Sequence, residues 1–279
     1  MNILFDSWST QVLYQQAPPS PQIPPGMRLN TILGAMKSYG LSTKQEWNIS
    51  FTTPPITKDQ LTGVDVYVSL TRYIGERYAY EPDELALLKT FVYDGGGILL
   101  MTNHGGLKND DWTENDAALA NQFGIQLQNY YVTTDNYMVM NVNQCLPSPY
   151  NYLGNQAPTI SAHDACIILP PADADFVPLV CFPPGATAHD FTTGKTIKPP
   201  PSPYFSILLR KLGPEGNGEV IVVGNSGFVG DYGSTKPAAG LITMEHNLMF
   251  FLNCVGYLGG LTCIPNPGQA PCANPGGAA

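Results

Sequence analysis

Residues 80–106 read YEPDELALLKTFVYDGGGILLMTNHGG, and this stretch decides the fold of the chain. Pro82 and the two acidic residues after it favour the first turn of a helix. Apolar residues then recur at helical spacing, and three glycines at 95–97 end the helix. The apolar run 98–101 follows as a short strand, which is typical of a sheet covered by helices on both faces. The predicted buried stripe of the helix is Leu85, Leu88 and Val92.

The same alternation of strands and helices extends toward the amino end. Strands are predicted at 3–5, 47–51 and 64–70 from their apolar or alternating patterns. A helix is predicted before the second of these strands, and Gly40 is expected to end it. Its apolar residues fall at i, i+3, i+4 and i+7, namely Leu29, Ile32, Leu33 and Met36.

Toward the carboxyl end, Thr113 and Asp116 have the spacing of a capping box, with Asp in the acidic position. They predict a helix that runs to Gly124. A buried strand is predicted at 219–223, and its neighbour is a long helix at 244–258.

Residues 125–215 differ from their surroundings, because β-prone stretches alternate there with Pro-rich and polar loops. We therefore predict an α/β fold with a doubly wound, mainly parallel, flavodoxin-like sheet and a β-rich insertion at about 125–215. Residues 1–258 are expected to form one domain, and 259–279 a Pro/Gly-rich tail.

Composition excludes several classes of partner. The net charge is −9, charged residues make up only 13% of the 279, and no basic cluster is present, so we expect no binding of nucleic acid. No apolar run reaches the roughly 18 residues that a membrane span needs. The first residues lack the features of a signal peptide, which favours a cytoplasmic location. A trimmed secreted protein would look the same, so secretion stays open, as does the oligomeric state.

Two stretches resemble the class I glutamine amidotransferase superfamily. The run at 80–106 is one, and the other is GNGEVIVVGNSGFVGD at 216–231 with the helix that follows it. They are similar to the non-catalytic GIFT-type domains and to the trehalose-utilisation (ThuA-like) proteins, over residues 1–124 and about 217–258. Catalytic members carry a nucleophilic Cys in a Gly-x-Cys-x-Gly elbow, whereas residues 101–106 here read MTNHGG. The resemblance therefore implies an amidotransferase-like scaffold without glutaminase activity.

Polar side chains follow four of the predicted strands. In open α/β sheets, ligands bind outside the carboxyl ends of the strands, near the point where strand order reverses. We call this edge the rim, and we expect its residues to converge on one ligand. The candidate ligand-binding residues are Ser7, Trp8, Arg72, Tyr73, Asn103, His104, Asn225 and Ser226.

The candidate catalytic residues are His104, Asp6 and Asp231. His104 is interpreted as a general base, a metal ligand or a ligand-orienting donor, or as a loop histidine bonded to backbone. Asp6 either orients His104 or caps a turn. Arg72 either clamps a ligand carboxylate or phosphate, or pairs with a nearby acid such as Glu76.

Motifs for cofactors and metals are missing. Residues 224–228 read GNSGF and lack the last glycine of a serine elbow, and no phosphate-binding loop is present. The pairs His163-Asp164 and His189-Asp190 have no spacing typical of a metal site. We therefore expect no cofactor and no metal.

Two functions from different classes fit these residues. The first is a non-catalytic ligand-binding or assembly module, with a carbohydrate, another small molecule or a protein as its partner. The alternative is a ThuA-like enzyme that acts on a sugar or related metabolite through His104 and a nearby carboxylate. The missing Cys favours the first, and a filled rim would favour it further.

Overall fold

The computed structural model describes residues 1–10, 12–13, 28–42, 45–73, 75–103, 113–134, 138–143, 150–162, 165–172, 175–190, 193, 195–197, 205–212, 216–230, 242 and 245–261. The candidates His104 and Asp231, and Met244 in the last predicted helix, lie outside these residues.

Five parallel strands form one half of the main sheet. They are β1 (Asn2–Phe5), β2 (Asn48–Phe51), β3 (Val66–Leu70), β4 (Gly97–Met101) and β13 (Glu219–Val223). Their spatial order is β2-β1-β3-β4-β13, and each neighbouring pair is parallel. This is the flavodoxin-like order 2-1-3-4-5, in which strand order reverses between β1 and β3. The predicted fold class is confirmed.

Helices cover both faces of this half, because successive side chains of each strand point to opposite faces. One face, with Ile3 and Val68, packs against α1 (Asn30–Ser42) and α5 (Asn247–Leu258). The other face, with Leu4 and Ile98, packs against α3 (Pro82–Tyr93) and α4 (Glu114–Asn121). The short helix α2 (Lys58–Leu61) leads into β3.

The predicted insertion continues the same sheet. Its strands are β5 (Gln126–Thr133), β6 (Met138–Asn141), β7 (Thr159–Ala162), β8 (Ala165–Leu169), β9 (Phe176–Cys181), β10 (Thr187–Asp190), β11 (Thr196–Ile197) and β12 (Phe205–Lys211). β12 pairs with β13 in antiparallel register, and eleven strands of the described chain belong to this sheet. β6 and β7 form a separate antiparallel pair.

Two local predictions were wrong, and a third was confirmed in part. Helix α1 does not end at Gly40 but runs to Ser42, and Gly40 is buried against the ring of Trp47. In α3 Leu88 and Val92 are buried as predicted, Leu85 is partly buried and packs against the same core, and Glu84 is buried as well. The capping box at the start of α4 is not formed: Thr113 has helical backbone angles (φ −90°, ψ −16°) and makes no capping hydrogen bond through its side chain, and the Asp116 carboxyl accepts from the Arg72 N–H.

Candidate functional site

The switch point lies between the carboxyl ends of β1 and β3. Asp6 directly follows β1, and Arg72 stands two residues after β3. Thr71, which lies between the end of β3 and Arg72, has a φ of 57°, and its N–H donates to the carbonyl of Met101 at 2.6 Å. The Tyr73 N–H donates to the Trp8 carbonyl at 3.0 Å, so the two rim segments are joined by backbone.

Arg72 fills this crevice with its own side chain, which is fully buried. Its Nε donates to Oδ2 of Asp6 at 2.8 Å, and its two terminal nitrogens donate to the two carboxylate oxygens of Glu84, each at 3.2 Å. The remaining donor capacity goes to the carbonyls of Tyr78 and Ala79. A planar guanidinium is suited to such forked contacts, and here all of them come from the chain itself.

Aromatic rings complete the surroundings of Arg72. The guanidinium carbon lies 3.5 Å from the ring centroid of Tyr80 and 5.0 Å from that of Trp8. The Tyr80 hydroxyl is 3.3 Å from Oδ2 of Asp6 and 3.1 Å from Oγ of Ser69. Attraction between a cation and an aromatic face is strongest where water is excluded, as it is at this buried guanidinium.

Glu84 anchors the crevice to helix α3. Its Oε2 accepts from the Glu81 N–H at 2.9 Å, as in a capping box, and its Oε1 accepts from the Ile56 N–H at 2.9 Å. Burial opposes ionisation of this carboxyl, but the hydrogen bonds from Arg72 and the two backbone N–H groups hold its pKa below the usual value. Glu84 is therefore a carboxylate at neutral pH.

Asp116 is the buried acid of this cluster that forms no ion pair with a side chain of the described residues. Its Oδ1 accepts from the backbone N–H of Arg72 at 3.0 Å, and the side chain of Thr102 also hydrogen-bonds to this carboxyl. Burial raises the pKa of this carboxyl to about 8, against the opposing effect of the Arg72 N–H. The neutral form of Asp116 is therefore favoured by its burial, next to the ion pairs that Arg72 makes with Asp6 and Glu84.

Three half-buried aromatic residues surround the mouth of the crevice. Trp8 meets Tyr78 edge-on with 5.8 Å between ring centroids, and Tyr73 meets Tyr78 at 5.1 Å. Arg77 lies over Tyr78, with its guanidinium carbon 5.5 Å from the ring centroid. Exposed faces of such rings are common in binding surfaces, because one side chain offers both apolar area and a polar tip. We call Trp8, Tyr73 and Tyr78 the aromatic mouth.

The other candidate residues of the rim lie in different surroundings. Ser7 is buried and donates twice to Thr52, which follows β2: its N–H donates to the Thr52 hydroxyl at 2.9 Å, and its own hydroxyl donates to the Thr52 carbonyl. Asn225 and Ser226 are buried at the end of β13, which is separated from β3 by β4. Asn103 follows β4 and is half-buried.

The structure thus brings together Asp6, Arg72, Trp8 and Tyr73. Of the two interpretations of Asp6, turn capping is seen, since its Oδ1 accepts from the Trp8 N–H at 3.1 Å. Arg72 pairs with acids of the chain, but these are Asp6 and Glu84, and the expected Glu76 is exposed.

Sequence reasoning missed Glu84, Tyr80 and Asp116 as members of this cluster. Glu84 and Asp116 are in the first turns of helices, where acidic residues are common because they interact favourably with the helix dipole. Tyr80 lies two residues before helix α3 and belongs to no recognisable sequence motif. No local signal in the sequence marks any of the three.

Within the described ranges, no helix is long and apolar enough to cross a bilayer. In the same part of the chain, no group of three or more His, Cys, Asp or Glu side chains is arranged to hold a metal ion.

The chain is a doubly wound α/β protein whose switch point is occupied by its own buried ion pairs. No family model matches the sequence, and the comparison with curated proteins found no match. The mmIFT52 N-terminal domain is similar in structure, with a TM-score of 0.62 at 16% identity, over 92% of this chain and 97% of that domain. Cytoplasmic protein STM1381 from Salmonella typhimurium LT2 has a TM-score of 0.54 at 13% identity, over 92% and 99%.

A third similar structure is a protein described as ThuA-like from Bacteroides uniformis ATCC 8492. Its TM-score is 0.50 at 11% identity, over 92% of this chain and 90% of that one. At such identities the likeness concerns the fold alone. The chain shares its α/β fold with these three proteins.

Proposed function

We propose that this chain is a non-catalytic ligand-binding or assembly module on an amidotransferase-like scaffold. The observation that carries the proposal is the filled switch point. The crevice in which a doubly wound protein binds its ligand holds Arg72, Asp6 and Glu84, and all three are buried. Catalytic groups must reach the reacting atoms of a substrate, and these three are already bonded to each other.

The contact surface of the module is the aromatic mouth. Trp8, Tyr73 and Tyr78 are half-buried and adjacent. The guanidinium of Arg72 packs against the ring of Trp8. Rigid rings lose little conformational entropy on binding, which favours them in contact surfaces. A sugar ring or an apolar segment of a protein partner would fit such a surface, and a carbohydrate is the candidate with which we would begin.

The experiment is a thermal-shift screen against sugars, sugar phosphates, nucleotides and peptides, with each variant compared with its own ligand-free melting temperature. The test variant is Tyr78→Ala, and the control is Val139→Ala, an exposed apolar residue on β6. We expect the ligand that stabilises the wild type to lose its effect in Tyr78→Ala and to keep it in Val139→Ala. An equal shift in both variants would contradict a contact surface at the aromatic mouth.

A second function is favoured by one observation, the burial of the Asp116 carboxyl beside the ion pairs of Arg72, which raises the pKa of this carboxyl. Groups with strongly shifted pKa values cluster at catalytic sites, and Asp116 lies beside the switch point, where its Oδ1 accepts from the Arg72 N–H. This favours a ThuA-like enzyme that acts on a sugar or related metabolite, with His104 and a nearby carboxylate as acid and base. The candidates His104 and Asp231 lie outside the described residues, and Asp6 is paired with Arg72.

The same screen separates the two functions. Each stabilising compound would be incubated with the wild type and with His104→Ala, and the mixture followed by NMR for conversion of the compound. Conversion by the wild type that His104→Ala abolishes would overturn the non-catalytic proposal. Binding without conversion supports it.

A further inference from the structure

A second concave site lies at the opposite end of the sheet from the rim. A groove of about 400 Å³ opens between α2 and α3, near the amino ends of β3 and β4. That volume is within the range of small-molecule sites, which are roughly 300–1,000 Å³. The groove shares no residue with the rim, so the argument that follows does not depend on the proposed function.

The walls of the groove are apolar. Leu61 is buried, and Val64, Leu87 and Phe91 are partly buried hydrophobic residues that pack against the core. Leu87 and Phe91 are four residues apart on α3, so they form a second apolar stripe beside the one that faces the sheet. Phe91 rests on Gly96, where a Cβ atom would lie 2.3 Å from its ring.

Two opposite charges stand at the edge of these walls. Lys58 comes from the start of α2 and Asp94 from the end of α3, and both side chains are exposed. In the described part of the chain, both ion pairs belong to Arg72, so neither Lys58 nor Asp94 is paired. Thr62 and Thr90 are the other polar side chains of the lining, and their hydroxyls donate to the carbonyls of Lys58 and Ala86.

We propose that this groove binds an apolar molecule that carries a single anionic group, such as an alkyl or aryl carboxylate. The apolar body is removed from water against Leu61, Val64, Leu87 and Phe91, and the anion pairs with the Lys58 ammonium. Asp94 stands at the edge of the same groove and repels a second anionic group. The site therefore selects monoanions over dianions of the same length.

The test is a fluorescence titration with anilinonaphthalene sulfonate, an aromatic monoanion, followed by displacement with octanoate, octanol and suberate. We expect saturable binding that octanoate displaces at lower concentration than octanol, which lacks the charge, or suberate, which has a second one. Equal potency of octanoate and suberate would overturn the proposal.

Two pairs of variants tie the signal to the groove. Thr90→Trp fills it, whereas Ala86→Trp adds the same ring to an exposed position of α3 outside the lining. Lys58→Gln removes the cation, and Lys89→Gln removes an exposed lysine that does not line the groove.

Binding should be lost in Thr90→Trp and weakened about two- to fivefold in Lys58→Gln, the range of an exposed ion pair, with both controls at the wild-type value. If Thr90→Trp binds the probe as tightly as the wild type does, at an unchanged melting temperature, the probe binds elsewhere and the site is refuted.

Discussion

At the scale of a single residue, the buried carboxyl of Asp116 lowers the free energy of unfolding as the pH rises. Folded chains keep its proton to about pH 8, because burial raises its pKa, whereas unfolded chains release the proton near pH 4. Between those values the unfolded state binds fewer protons than the folded state. The free energy of unfolding therefore falls as the pH rises through this window.

Asp116→Asn should remove this slope, because the amide is close in shape to the protonated acid and does not ionise. We expect the variant to gain stability over the wild type as the pH rises from 4 to 8, because each tenfold difference in proton affinity between the folded and unfolded states corresponds to about 1.4 kcal/mol. Urea unfolding at several pH values measures it. Asp83→Asn changes an exposed acid and should follow the wild-type profile. Parallel profiles for Asp116→Asn and the wild type would mean that Asp116 is ionised in the fold.

Arg72 shows how far residue-level prediction reaches. The sequence indicates that Arg72 follows a strand at the rim and needs either a ligand or an acid. The nearest acid in the chain is Glu76, yet the partners are Asp6 and Glu84, which lie 66 and 12 residues away. Buried charges require partners with good geometry, and the tertiary fold supplies that geometry. Local spacing carries no information about it.

Glycines in helix α1 illustrate the scale of the element. Gly34 is exposed and has open space where a Cβ atom would lie, whereas a Cβ atom at Gly40 would lie 2.9 Å from the Gln45 carbonyl oxygen and 3.1 Å from the Trp47 ring. The sequence predicts a helix end at Gly40 because glycine is typical there. The contact between Gly40 and Trp47 overrides this preference. That contact depends on how α1 packs against the segment that leads into β2, and the sequence of α1 alone does not indicate it.

The two glycines should respond to alanine in opposite directions. Gly34→Ala is expected to stabilise the chain by about 0.5–1 kcal/mol, because alanine favours the helix and meets nothing. Gly40→Ala is expected to destabilise it by about 1–3 kcal/mol, because the new methyl group forces Trp47 or the backbone at Gln45 to move. Chemical denaturation measures both. A stabilising Gly40→Ala would mean that the contact with Trp47 is loose.

At the scale of the whole molecule, the sequence predicts the parallel half well. Alternation of apolar strands with amphipathic helices implies right-handed crossovers, and these restrict the strand order to a few choices. The insertion was predicted only as β-rich. Antiparallel pairing over 125–215 depends on long-range register, such as Ile207 with Val223, and single strands do not encode their partners.

The two halves of the sheet are joined without a gap. β12 and β13 are paired over five residues, and both core clusters contain residues of each half, for example Leu99 with Ile167. A domain boundary normally falls where few contacts cross. The prediction that residues 1–258 form one domain therefore has a clear consequence for unfolding, namely that the halves open together.

Hydrogen exchange in low concentrations of urea tests this cooperativity, with amides of β4 and β8 as reporters of the two halves. Ile167→Ala creates a cavity in the insertion and should lower the opening free energy of both strands equally, by about 2–5 kcal/mol. Leu99→Ala in β4, in the parallel half, should also lower the opening free energy of both strands. The exposed control Val139→Ala should leave the opening free energies of β4 and β8 unchanged. A loss confined to β8 in Ile167→Ala would show that the insertion unfolds alone and is a domain of its own.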